Sequence, residues 1–277
     1  VVYRRHTNFS KECIKQEFNG SVPSTGGGNV TCTLARNGDL VHRVYLQVTL
    51  PGVRTAGGDY FRWVNWVGHA LIKNVEVEIG GQRIDKHYGD WLHIWNELTQ
   101  TAGHKIGYAS MVGNVPRLTQ PIGSVTSAET SNDNAKMPQT TLYIPLQFWF
   151  CRNPGLALPL IALQYHEVKI NINFADAEDC FWLVKTASNA ATYTVQTLSC
   201  CKPKFVSASL YVDYIYLDTD ERRRFAQVSH EYLIEQLQFT GAESANSVSN
   251  KVKLNFNHPV KELVWTVQPD DNVDKTK

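Results

Sequence analysis

The sequence predicts an all-β protein, a sandwich or barrel of antiparallel strands with a few short helices. Apolar residues alternate with polar ones along many short segments, as in strands with one buried face. About ten such segments are separated by turn residues, which is typical of sandwiches and barrels. Hydrophobic residues make up 43% of the 277 residues and charged residues 19%, a balance that favours a packed core over disorder.

The strand predictions rest on a hydrophobic period of two. The alternating segments are 12–18, 29–36, 44–50, 168–174, 193–198, 252–256 and 261–267. The apolar run SASLYVDYIYL (207–217) is rich in Tyr and Val and predicts a strand covered on both faces. A strand is also predicted for LYIPLQFWF (142–150), where Pro145 requires an edge position, a strand start or a bulge.

Three segments predict short helices. They are the i, i+3, i+4, i+7, i+8 set Trp63, Trp66, Val67, Ala70 and Leu71, the segment from about Tyr88 to Thr101, and a segment that begins at Asp218 or Thr219. The third helix is followed by a strand-like segment from Glu231, so it predicts a connector between two β units and a domain boundary there. Its arginines at 222–224 are nearly balanced by nearby acids, which favours a charged helix surface over an anion site.

Residues 102–141 have no clear periodicity and are rich in Ser, Thr, Asn and Gly, as in SVTSAETSNDNAK. A stretch of about forty residues is too long for a simple connection. The sequence therefore predicts an elaborated surface loop.

The stretch EVEIGGQRIDKHYGDW predicts a hairpin. Val75, Val77 and Ile79 alternate with glutamates, and Gly80-Gly81 supplies a two-residue turn that tolerates positive φ before the return strand 82–85. The alternative, a phosphate-binding loop, lacks the spaced glycines and the Lys-Ser/Thr of a P-loop, and also the GxGxxG of a dinucleotide site.

No other pattern predicts catalytic, cofactor-binding or metal-binding residues. His87 and His93 are six residues apart and do not share a helical face, and the chain has no HxH and no Gly-x-Ser-x-Gly. Glu76 and Glu78 alternate along one strand, whereas a glycosidase pair comes from separate elements. Sequons occur at Asn8, Asn19 and Asn29, and they would be glycosylated only in the secretory pathway.

Charge and cysteine content limit the kinds of protein that this chain could be. Lys and Arg number 27 against 26 Asp and Glu, and this balance does not suggest a nucleic-acid-binding protein. The six cysteines are spaced irregularly, which favours reduced or buried thiols and an intracellular history. No apolar run is long enough to span a bilayer, and no signal peptide is recognisable. The missing initiator Met and the charged end DDNVDKTK suggest part of a longer protein.

Several longer segments resemble the major capsid proteins of large nucleocytoplasmic double-stranded DNA viruses, specifically the phycodnavirus (algal virus) type. The segments are VVYRRHTNF (1–9), ARNGDL (35–40), EIGGQRIDKHYGDW (78–91), NPGLALPLIALQYHEVKI (153–170), VDYIYLDTDERRRFAQVSHEYLIEQLQFTG (212–241) and LNFNHPVKELVW (254–265). They cover about a third of the chain in the order of the family.

The resemblance implies an antiparallel jelly-roll sandwich, the first of two in tandem. Residues 1–217 would form the first jelly roll, 218–230 a linker with a short helix, and 231–277 the start of a truncated second jelly roll. The family implies homotrimers that form pseudo-hexagonal capsomers and tile an icosahedral shell.

The same resemblance implies the partners and the location. The chain would contact neighbouring capsomers and minor capsid proteins, overlie an internal viral membrane without spanning it, and make no direct contact with nucleic acid. It would reside in the virion after assembly in the host cell, in the cytoplasm, and would have neither enzymatic activity nor a cofactor.

Two other functions remain open from the residues. One is a carbohydrate-binding jelly roll, with sugars stacked on Trp63, Trp66, Trp91 and Trp95, although their helical spacing favours core positions. The other is a hydrolase on the same fold, which the missing catalytic constellation disfavours.

Overall fold

The computed structural model describes residues 7–55, 59–123, 136–186, 193–195 and 203–270. The strands are β1 Phe9–Gln16, β2 Asn29–Thr33, β3 Leu40–Leu50, β4 Val53–Arg54, β5 Asp59–Trp63, β6 Ile72–Ile79, β7 Gln82–Tyr88, β8 Ile122–Gly123, β9 Lys136–Met137, β10 Thr140–Pro145, β11 Leu158–Pro159, β12 Val168–Phe174, β13 Phe181–Thr186, β14 Tyr193–Val195 and β15 Ser207–Leu217. The α-helices are α1 Val67–Ala70, α2 Gly89–Thr99, α3 Ala102–Val112, α4 Pro116–Thr119, α5 Trp149–Arg152 and α6 Thr219–Gln227.

Eight of these strands form two facing antiparallel sheets, in the orders β1-β15-β3-β10 and β2-β12-β6-β7. Among these eight strands, β1 pairs with β15, β2 with β12, β3 with β10 and β6 with β7. In chain order, the first strand therefore pairs with the last, the second with the last but one, and so on inwards. This pairing is an antiparallel ribbon folded over on itself, which is the topology of a jelly roll. The prediction of an all-β antiparallel jelly-roll sandwich is confirmed.

The closed end of the ribbon is the hairpin between β6 and β7. Gly80 and Gly81 occupy its two-residue turn with φ of 59° and 84°, and Ile79 pairs with Gln82. Both glycines adopt the left-handed conformation that this turn requires and that a side chain disfavours.

The core lies between the two sheets because inward and outward residues alternate along each strand. In β12, Val168, Ile170, Ile172 and Phe174 are buried and the residues between them are half-buried. Buried side chains of β3, β6, β10 and β15 belong to the same cluster. In these strands the alternation of apolar residues therefore marks the face that turns inward.

One strand prediction is partly correct and two are wrong. The predicted strand 142–150 ends at Pro145, at the end of edge strand β10, and Trp149–Arg152 is helical with its first three residues buried. The alternating segments 252–256 and 261–267 form no strand, and no helix or strand occurs in residues 229–269. A strand needs a hydrogen-bonded neighbour, and none of the described strands pairs with segments 252–256 and 261–267.

The helix predictions were partly correct. Helices α2 and α6 are confirmed, and the Asp218 side chain caps α6 by accepting a hydrogen bond from the Glu221 backbone N–H at 3.0 Å. The helix predicted from Trp63 to Leu71 is reduced to α1, because Trp63 ends β5 and Trp66 has a left-handed conformation with φ of 55°.

The predicted loop 102–141 contains more structure than expected. It includes α3, α4 and the short strands β8 and β9, whereas SVTSAETSNDNAK lies outside the described residues except for its last one. Strands β4 and β5 lie in the connection between β3 and β6, and strands β8 and β9 lie in the connection between β7 and β10. Because β8 pairs with β5 and β9 pairs with β4, hydrogen bonds join these two connections; we call this end of the sandwich the interlocked end. A third sheet, β14-β13-β5-β8, caps that end of the sandwich.

Alanine at Gly80 tests the hairpin turn. An added Cβ would meet His166 Nδ1 at 2.7 Å in a left-handed conformation, so we expect Gly80→Ala to lower the free energy of unfolding by about 1–2 kcal/mol. Gly103→Ala is the control, since Gly103 lies in the first turn of α3 with open space around it. Gly103→Ala should be neutral or raise stability by up to about 1 kcal/mol. Urea denaturation measures both variants. Equal changes in their free energy of unfolding would contradict the assignment of Gly80 to a left-handed turn position.

Candidate functional site

The described residues contain no group of three or more His, Cys, Asp or Glu side chains that could hold a metal. Glu76 faces Lys86 at 2.9 Å and Arg83 at 3.7 Å, so this carboxylate takes part in ion pairs on the hairpin. His87 packs on Phe148, whereas His93 packs on Trp66. The contacts of Glu76, His87 and His93 do not bring these side chains together into a catalytic centre.

A cavity of about 430 Å³ lies beside the start of α6, lined by residues that include Arg36, Asp39, Tyr216 and Arg222. Its charged groups already have partners. Arg36 Nη2 donates to the Leu163 carbonyl at 2.6 Å, and Arg222 Nε lies 3.1 Å from Asp39 Oδ1. The cavity is therefore a structural gap beside α6.

The three sequon asparagines Asn8, Asn19 and Asn29 are exposed. The Asn19 amide donates to Thr33 Oγ1 at 3.1 Å, and Asn29 pairs with Asn173 in the sheet of β2 and β12. Among the cysteines, Cys32, Cys151 and Cys180 are buried and Cys13 is exposed, while Cys200 and Cys201 lie outside the described residues.

The four tryptophans considered for sugar binding form no common platform. Trp63 is fully buried, and Trp66 stacks on His69 with ring centroids 5.7 Å apart. Trp91 and Trp95 are half-buried on α2, and the Arg152 guanidinium lies 4.7 Å from the Trp95 ring centroid. These contacts are those of core and packing residues.

The exposed apolar surface is distributed unevenly. Between residues 7 and 227, large exposed hydrophobic side chains are scattered, at Phe9, Leu98, Ile106, Tyr143, Tyr165 and Val206. In the next forty residues they are frequent, at Val228, Leu233, Ile234, Phe239, Val248, Val252, Leu254, Val260, Leu263, Trp265 and Val267. Such a concentration is typical of a surface that further protein covers.

Part of this segment is nevertheless held on the jelly roll. The Leu237 backbone N–H donates to Asp85 Oδ1 at 3.1 Å, and Phe239 lies edge-on to Tyr88 with centroids 5.2 Å apart. Glu235 pairs with Arg152 at 3.2 Å and also with Lys261. These residues run beside β7, an edge strand of its sheet, and so cover an edge that would otherwise be open.

Sequence comparison assigns the family. Residues 1–218 match the family described as major capsid protein N-terminus, and residues 221–277 match the family described as large eukaryotic DNA virus major capsid protein. The chain belongs to the major capsid proteins of large eukaryotic DNA viruses. The phycodnavirus-type resemblance is thereby confirmed.

Individual relatives support this assignment. The chain is 55% identical to the major capsid protein of Phaeocystis pouchetii virus over 288 residues, which cover 99% of this chain and 54% of that protein. Its identity to the major capsid protein of Pyramimonas orientalis virus is 61% over 265 residues, covering 96% and 58%. The chain thus spans slightly more than half the length of these relatives.

The fold also matches solved capsid structures. The quasi-atomic model of the PBCV-1 virus capsid is similar with a TM-score of 0.71 and 39% identity, over 94% of this chain and 56% of that one. The Faustovirus major capsid protein, at 12% identity and a TM-score of 0.57, shares the fold over 81% of this chain and 57% of that one. Within the described residues, no helix combines the length and apolar character needed to cross a bilayer.

Proposed function

We propose that the chain is a structural shell protein that forms homotrimeric, pseudo-hexagonal capsomers, and that these capsomers tile an icosahedral virion shell. In this proposal residues 1–217 are the first jelly roll, 218–230 the linker and 231–277 the entry into a second jelly roll. The observation that carries it is the jelly roll followed by a segment without sheet partners that exposes eleven large apolar side chains. Such a segment would be buried in a larger assembly.

The proposal extends to partners and location. Neighbouring capsomers and minor capsid proteins would contact the outer surfaces, and the shell would overlie an internal membrane without crossing it. Assembly would take place in the host cytoplasm. A net charge of +1 supports a shell role without direct nucleic-acid contact. We propose no enzymatic activity and no cofactor for this chain.

The mass of the full-length protein in solution tests the proposal. We expect light scattering after size exclusion to give three times the monomer mass, because a specific interface buries more than about 1,000 Å² and persists on dilution. Adding EDTA or nucleotides should leave the mass unchanged. A well-folded monomer would contradict the proposal. Sugar-induced quenching of tryptophan fluorescence in such a monomer would then favour the carbohydrate-binding alternative.

A further inference from the structure

Two buried aspartates hold the polypeptide that leaves the jelly roll. The first is Asp39, immediately before β3, with a relative exposure of 6%. Its Oδ2 accepts a hydrogen bond from the Leu217 backbone N–H at 2.7 Å, and its Oδ1 lies 3.1 Å from Arg222 Nε on α6. One carboxylate therefore joins the end of β15 to the linker helix.

Asp39 is itself fixed from both sides. Its backbone N–H donates to the Ile215 carbonyl at 3.0 Å, and its carbonyl accepts from the Leu160 N–H at 2.9 Å. A buried carboxylate is costly unless it is hydrogen-bonded, and here both oxygens have donors. The start of α6 is thus attached, through Asp39, to the paired strands β3 and β15.

The second aspartate is Asp85, on the inward face of β7, with a relative exposure of 3%. Its Oδ1 accepts from the backbone N–H groups of Lys86 at 2.8 Å and Leu237 at 3.1 Å. Its Oδ2 lies 2.9 Å from Nε2 of His87, another buried side chain of the same strand. The neighbouring Gln236 side chain donates to the Ile84 carbonyl.

The residues between these two points are also packed. Phe225 of α6 contacts a small buried cluster of Leu40, Ala157 and Ile215. His230 stacks on Phe225 with centroids 5.0 Å apart, and its Nε2 lies 2.8 Å from the Phe225 carbonyl oxygen. Residues 217–239 are therefore held at both ends and in the middle, although they contain only one short helix.

We propose that Asp39 and Asp85 are positioning residues that fix the path of residues 217–239 and thereby set the orientation of the polypeptide that follows. The inference rests on the proposed function, in which that polypeptide forms the second jelly roll of the capsomer subunit. Because a pseudo-hexagonal capsomer requires a defined angle between two jelly rolls, loss of either contact would misplace the second one.

Hydrogen exchange in the full-length protein tests the contacts themselves. Asp39→Asn should speed exchange of the Leu217 amide, and Asp85→Asn that of the Leu237 amide, each by about tenfold or more, since an amide side chain accepts these bonds less strongly. Asp220→Asn is the matched control, because Asp220 lies exposed on α6. It should change neither rate. Unchanged exchange in both variants would overturn the proposal.

Light scattering on the same variants tests the positioning role. We expect the double variant Asp39→Asn/Asp85→Asn to keep its jelly-roll circular dichroism and to lose at least half of its trimer. If the double variant fails to fold, the trimer yield is measured instead for Arg222→Gln and Gln236→Ala. These two changes remove the contacts from the side of residues 217–239 and leave the core unaltered. Faster exchange with a normal yield of trimer would overturn the positioning role. A monomeric wild-type protein would instead refute the proposed function.

Discussion

Replacement of Trp63 by alanine is expected to lower the free energy of unfolding by about 3–5 kcal/mol, the range for truncating a buried large aromatic residue. Trp63 has 0% exposure and ends β5, opposite Phe181 of β13. Its ring lies edge-on to Phe61 at 5.3 Å and to Phe181 at 6.3 Å between centroids. Truncation would leave a cavity among aromatic rings that the adjoining strands cannot close.

Trp265→Ala is the matched control, because Trp265 is 76% exposed in the segment without helices or strands. In the 277-residue chain its removal should change stability by less than about 0.5 kcal/mol. Urea denaturation followed by circular dichroism measures both variants. Similar losses for the two tryptophans would mean that the third sheet does not pack on the sandwich as described.

The alternation of apolar residues was enough to predict most of the jelly-roll strands. The reason is that successive side chains of a strand point to opposite faces, so neighbouring residues in the sequence show which face is buried. Residues 168–174 and 207–217 became β12 and β15 with the predicted bounds. The same local pattern misled at 252–256, since a strand also needs a partner and the sequence does not state where that partner lies.

Helices at the interlocked end were harder to predict. Helix α3 buries only Tyr108 and Val112 among its eleven residues and exposes Ile106, so its sequence has almost no amphipathic pattern. Trp66 stops α1 from extending backwards by adopting a left-handed conformation, which is rare for a residue other than Gly and is not visible in the sequence.

The roles of Asp39 and Asp85 were missed for a different reason. Leu217, the partner of Asp39 Oδ2, is 178 residues away, and Leu237, the distant partner of Asp85 Oδ1, is 152 residues away; no local pattern in the sequence reports such pairs. A signal did exist in β7, where the inward positions are occupied by Asp85 and His87 instead of apolar residues. Polar side chains on the buried face of a predicted strand indicate a specific partner.

Acid is expected to destabilise the fold through His69. This residue is 3% exposed on α1, and its Nε2 lies 2.8 Å from the Tyr108 hydroxyl oxygen on α3. Trp66 stacks on one side of the ring, and His93 of α2 lies 5.7 Å away between centroids. Burial, together with the nearby His93, lowers the pKa of His69 from 6.5 to about 3.

The direction of the pH effect follows from this shift. The unfolded chain binds a proton at His69 below pH 6.5, whereas the folded chain binds it only near pH 3. Between these values the unfolded state holds more protons, so stability is full above pH 6.5 and declines as the pH falls. The contribution of His69 to this slope is at most about 1.4 kcal/mol per pH unit.

His69→Gln tests this assignment, because it removes the titrating imidazole. The variant should be less stable than wild type at pH 7.5, but its free energy of unfolding should decline less steeply from pH 6.5 to pH 4. Leu92→Ala is the control: it removes a fully buried side chain of α2 and should lower stability by about 2–5 kcal/mol at every pH with an unchanged slope. A His69→Gln slope equal to that of wild type would show that His69 is not the group responsible. A reduced slope would show that burial of His69 at the contact of α1, α2 and α3 contributes to the loss of stability in acid.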